Sequence, residues 1–204
     1  MAQNSGDITQ DEIMMEIRCF IAVNLPDETR QALESMIAEL KKTGADVKWV
    51  NAGNIHLTLK FLGNTDASLI PAMTDALSKK LSLHHAFYIT IADVGCFPSE
   101  KRPRVIWVGI KDSEILANIQ KDVDDVLTGF GFATEVRSFT PHLTVGRVRS
   151  MKKIAELMAR FADFRRSDFG RVEVSAIHIM KSELKPAGAE YNSLGRIPLE
   201  NREE

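Results

Sequence analysis

Apolar and polar positions along this chain follow two periods, and the switches between them mark out its elements. Strand-type patterning predicts strands at 17–25, 46–50, 54–62, 86–94, 104–110, 139–148 and 171–182, with a further edge strand at 189–199. Helical periodicity predicts helices at about 27–42, 66–81, 113–127 and 151–162. Leu33, Met36, Ile37 and Leu40 form the stripe of the first helix, with Asp27 where a cap belongs. Ile115, Ile119, Val123 and Val126 form the stripe of the third. The loop "GCFPSEKRPR" (95–104) divides the chain.

Shifting the numbering by 86 largely reproduces the order of elements. His56 and His142 are 86 residues apart, as are Arg18 and Arg104. The chain therefore reads as an internal duplication, with repeats of about 18–103 and 104–189. Each repeat runs strand, helix, two strands, helix, strand, which is an α+β unit with helices on one face of an antiparallel sheet. The expected fold is a duplicated, bilobal α+β domain over 17–204: two antiparallel sheets with outer helices around a central cleft. Residues 1–16 read as a flexible N-terminal extension.

Composition narrows the function. The 204 residues are 44% apolar, enough to bury a real core. A net charge of −2 excludes a protein that wraps duplex nucleic acid, but not an enzyme that takes only the end of an RNA. Cys19 and Cys96 lie in or beside apolar runs and read as small buried thiols. The polar N-terminus carries no signal pattern, and no apolar run could span a bilayer, so a cytoplasmic protein with no membrane partner is expected.

The candidate chemistry lies in two strands. In "NIHLTLKFLG" (54–63), alternation puts Leu57, Leu59 and Phe61 on one face and His56, Thr58 and Lys60 on the other. The same His-Leu-Thr returns in "TPHLTVGR" (140–147). One HxT tripeptide is unremarkable; two at equivalent places in a duplication are not. Facing histidines suit in-line displacement at phosphorus, which needs a base on the attacking side and an acid on the leaving side. Thr58 and Thr144 can hydrogen-bond the non-bridging oxygens, and Arg147 can meet the charge that develops there. Strict alternation points Arg147 away from His142, so this role requires a bulge near Gly146.

Competing chemistries fit less well. Catalytic zinc usually takes three protein ligands, and neither motif has an acidic neighbour. No serine stands in a nucleophile turn. His84, His85 and His178 read as solvated or structural. The basic loop "EKRPR" (100–104) could rim the cleft, and Trp49, Phe97 and Phe130 read as core or as stacking surfaces. A non-catalytic module binding nucleotides or RNA ends would share the cleft. So would a tandem RNA-binding module, although its aromatic signature is missing.

These residues resemble the 2H phosphoesterases, which carry two HxT motifs on duplicated lobes. They are most similar to the RNA 2′,3′-cyclic phosphodiesterase/2′-5′ RNA ligase (LigT-like) family. The resemblance runs from about Arg18 to Leu199 and rests on "RCFIAVNLP", "NIHLTLKFLG", "RPRVIWVGI", "TPHLTVGR" and "KSELKPAGAEY". It implies metal-independent, cofactor-free opening of a 2′,3′-cyclic phosphate at an RNA 3′ end to leave a 2′-phosphate. It also implies His56 as proton donor, His142 as proton acceptor, and Thr58, Thr144 and Arg147 as phosphate contacts. Ligation of tRNA halves through a 2′-5′ bond would be a side activity. Partners would be RNA bearing such an end, or a cyclic nucleotide; the duplicated chain contains its own twofold, so a monomer is expected. A relative acting on 2′-5′ oligonucleotides or on ADP-ribose cyclic phosphate would look the same.

Overall fold

The computed structural model describes residues 15–186 and 188–201, so all but Met15 and Glu16 of the expected N-terminal extension lie outside the described residues. The strands are β1 (Glu16–Asn24), β2 (Val47–Trp49), β3 (His56–Asp66), β4 (Phe87–Phe97), β5 (Val105–Lys111), β6 (His142–Val148), β7 (Asp168–Val174), β8 (Ala176–Lys185) and β9 (Gly188–Pro198). The helices are α1 (Asp27–Lys41), α2 (Ile70–Leu81), α3 (Glu114–Thr128) and α4 (Ile154–Phe161). One antiparallel sheet has the order β3-β1-β8-β9, the other β2-β6-β5-β4-β7.

Each sheet takes strands from both sequence repeats. The pattern at 171–182 predicts one strand, and the chain instead forms two that break at Ser175 and enter different sheets. β7 pairs with β4, while β8 pairs with β1. The lobes are therefore interleaved, and a lobe is not one repeat. A run of alternating apolar residues cannot reveal such a break, because both halves bury one face.

Helix ends and stripes follow local chemistry. Pro26, not Asp27, is the N-cap of α1; Asp27 sits in the first turn and pairs with Arg30 at 3.4 Å. There its carboxylate complements the exposed N–H groups. In α3 the buried stripe is Leu116, Ile119, Val123 and Leu127, rotated from the expected one, and Ile115 is 41% exposed. That rotation also buries Gln120 and Asp124. β6 starts at His142 because Pro141 has no N–H to give to a ladder.

The leucines of the two HxT strands join one continuous core: Leu57, Leu59, Leu143 and Val145 are all buried. β3 and β6 lie against each other although they belong to different sheets. Gly146 permits β2 to approach, since a Cβ there would sit 2.8 Å from Val47 Cγ1 and 3.0 Å from Trp49 Cε3. Gly146→Ala is expected to destabilise the fold by about 1–3 kcal/mol through overpacking, read as a lower midpoint in urea unfolding. An unchanged midpoint would mean that β2 yields without cost.

Candidate active site

Between the sheets lies a cleft of about 640 Å³. His56, Thr58, His142, Thr144 and Arg147 all line it, so the five sequence-predicted residues come together. The two imidazoles are held alike. His56 Nδ1 lies 2.8 Å from the Asn54 carbonyl oxygen, and His142 Nδ1 lies 2.7 Å from that of Thr140. A carbonyl only accepts, so each Nδ1 carries its proton and Nε2 is left as the nitrogen open to the cleft.

Aromatic rings fix both planes. Phe20 stacks on His56 at 4.5 Å, and Tyr191 meets the same imidazole edge-on at 5.0 Å. Phe97 meets His142 edge-on at 5.1 Å. Burial pushes the His56 pKa below the ordinary histidine value, and the nearby Arg30 cation adds to this. The Asn54 carbonyl opposes the shift by favouring the ring's N–H.

A matched irregularity aims the remaining groups. Opposite β5, residues Ile106 and Trp107 face Gly146 and Thr144, leaving Val145 as the extra residue of a bulge. Opposite β1, Ile21 and Ala22 face Lys60 and Thr58, so Leu59 is extra in the same way. Each strand thus turns two successive residues inward, Leu59–Lys60 and Val145–Gly146, all four buried. The residue after each pair faces the cleft. This is why Arg147 joins His142, against strict alternation.

The same bulge corrects two expectations. Phe61, expected in the core, is 74% exposed and lines the cleft. Lys60, expected beside His56 on the polar face, is 6% exposed and paired with Asp124. Gln120, Arg137, Phe139 and Tyr191 also line the cleft without having been singled out. The buried, rotated face of α3 and the irregular run before His142 bring the first three there, and neither leaves a periodic trace in the sequence.

The other candidates sit elsewhere or act structurally. His84, expected to be solvated, is half-buried and bonds Asp122 at 2.7 Å. His178 Nδ1 lies 3.1 Å from Ser193 Oγ. In the basic loop Arg165 holds Glu100 at 2.5 Å, and the loop residues 100–104 do not line the cleft. Trp49 and Phe130 pack against the core. Cys19 and Cys96 are buried free thiols, and burial pushes Cys96 up to about 12. Among the described residues no three His, Cys, Asp or Glu side chains converge as a metal site, and no helix is long and apolar enough to cross a membrane.

The profile of the 2′-5′ RNA ligase superfamily matches residues 25–186. The chain belongs to this superfamily. Its relatives include proteins named RNA 2′,3′-cyclic phosphodiesterase. That of Methanothermobacter thermautotrophicus is 32% identical over 88% of this chain and 97% of its own. That of Thermotoga maritima is 31% identical over 87% and 93%. The fold matches the crystal structure of TT0787 of Thermus thermophilus, with a TM-score of 0.75 at 24% identity over 92% of this chain and all of the other. It also matches E. coli LigT complexed with 3′-AMP, with a TM-score of 0.72 at 23% identity over 91% and 99%. This superfamily member thus has the two-sheet LigT-like architecture that its motifs imply.

In a histidine-resolved NMR titration, His56 is expected to become neutral below the usual value of about 6.5. Inorganic phosphate should raise its pKa, because an anion in the cleft stabilises the imidazolium. A His56 that titrates at or above the usual value in the free protein would contradict the burial described.

Proposed function

We propose that this chain hydrolyses the 2′,3′-cyclic phosphate at the 3′ end of an RNA to a 2′-phosphate, without a metal. The observation that carries this reading is the pair of cleft-facing Nε2 atoms, each backed by a carbonyl bond, with Thr58, Thr144 and Arg147 around them. The named activity of relatives at about 32% identity over most of the chain supports it.

In this reaction a water oxygen attacks phosphorus and gives its proton to Nε2 of neutral His142. As the new P–O bond forms, the P–O3′ bond breaks, and Nε2 of protonated His56 delivers its proton to the departing O3′. The products are a 3′-hydroxyl and a 2′-phosphomonoester. The threonine hydroxyls and the Arg147 guanidinium hold the non-bridging oxygens as charge accumulates on them. The anionic substrate supplies a field that favours the protonated form of His56, against the burial that lowers its pKa in the empty cleft.

Arg147 and Phe61 occupy equivalent places in the two repeats, and there the chemistry differs. One offers a cation for phosphate; the other offers an exposed ring on which a base can stack. An RNA 5′-hydroxyl in place of water would yield a 2′-5′ linkage, but bulk water favours hydrolysis, so ligation is a side activity. Both histidines come from one chain, so a monomer suffices.

His56→Ala and His142→Ala should each lower kcat by about 10²- to 10⁴-fold on a short RNA with a cyclic phosphate end, assayed in EDTA. Phe61→Ala should act mainly through KM, because it removes a stacking face and no proton donor. Turnover unaffected by either histidine substitution would overturn the mechanism. Binding without turnover by the wild type would favour a non-catalytic RNA-end module, and loss of activity in EDTA restored by zinc would overturn metal independence.

A further inference from the structure

The bulge that exposes Phe61 turns Lys60 into the interior, where a lone ammonium is strongly disfavoured. Its side chain is 5% exposed and pairs with Asp124 of α3, itself 8% exposed. Lys60 Nζ also donates to the Ala133 carbonyl oxygen at 2.7 Å. The Asp124 carboxylate accepts from the Glu135 N–H at 3.1 and 3.3 Å. One buried ion pair therefore ties β3, α3 and the start of the segment 133–141 together.

That segment needs an anchor. It lies between α3 and β6, and among the described residues it makes no backbone–backbone hydrogen bond. Yet Glu135, Arg137, Ser138, Phe139 and Thr140 form one wall of the cleft. Its Thr140 carbonyl is the group that holds His142 Nδ1 at 2.7 Å. The equivalent of Lys60 in the other strand is Gly146, where Val47 and Trp49 of β2 fill the space. The two repeats thus solve the same inward-facing position differently, and only one uses a charge.

We propose that Lys60 and Asp124 are a positioning pair that fixes the 133–141 wall and, through Thr140, the imidazole of His142. This rests on the reaction proposed above. Neither residue touches the reacting atoms. The pair acts by holding a stretch of irregular backbone that regular structure leaves free.

The test compares wild type with Lys60→Met/Asp124→Leu, which removes both charges at similar volume and so avoids stranding one of them. Asp124→Asn serves as a milder variant that keeps an acceptor for Lys60. In the double variant, kcat per folded molecule should fall about 10²-fold, the scale of a misplaced catalytic group, with a smaller change in KM. Amide exchange over 133–141 should accelerate, and the His142 ring resonances should shift. Asp124→Asn should show the same changes in smaller measure, and it carries the test alone if the double variant does not fold.

Unchanged kcat and unchanged His142 resonances in well-folded variants, whatever happens to thermal stability, would overturn the proposal. A wild type that opens no cyclic phosphate would instead overturn the proposed reaction. In that case the exchange rates and the His142 resonances still decide whether the pair positions the wall.

Discussion

Two strands, β3 and β6, each carry an unmatched residue immediately after His-Leu-Thr. Period-2 alternation would otherwise send Arg147 and Phe61 away from the cleft and turn Lys60 towards it. The extra residues, Leu59 and Val145, are buried among core leucines, so the hydrophobic interior itself holds each bulge in place. Everything distinctive about the cleft follows from that dislocation. It brings Arg147 into the cleft, exposes Phe61, buries Lys60 and requires glycine at 146 where β2 closes in.

The cleft is asymmetric although its scaffold repeats. Each imidazole is held by a backbone carbonyl at Nδ1 and packed by aromatic side chains, Phe20 and Tyr191 at His56 and Phe97 at His142. Their surroundings are not equivalent. His56 is half-buried against Phe20 and Tyr191, and its pKa is pushed down. In the proposed reaction, an acid whose proton affinity is lowered in the empty site recovers it when an anion arrives. The proposed reaction thus couples substrate charge to the readiness of the acid, which bulk water alone would not do.

Much of this was legible in the residues. The HxT pair, the 86-residue offset and the apolar partners of each strand point to the candidate site and the two-sheet fold, because burial patterns are local and periodic. What the pattern could not carry was non-local. The break at Ser175 sends β7 and β8 to different sheets, and only long-range pairing decides that. The inward Lys60 depends on Asp124, 64 residues away, and no spacing rule connects them. The rotated stripe of α3 reflects what the helix packs against, since Ile115 and Leu116 are equally apolar.

In the proposed reaction the two histidines act on opposite sides of one phosphorus, with water on one side and O3′ on the other. Hydrolysis of an RNA cyclic phosphate in ¹⁸O-labelled water, with the product isomers separated, tests this most directly. The expected product is a 2′-phosphate carrying a single ¹⁸O, with no 3′-phosphate. A 3′-phosphate would place the leaving oxygen on the other side. A 2′-phosphate without label would mean that water is not the nucleophile.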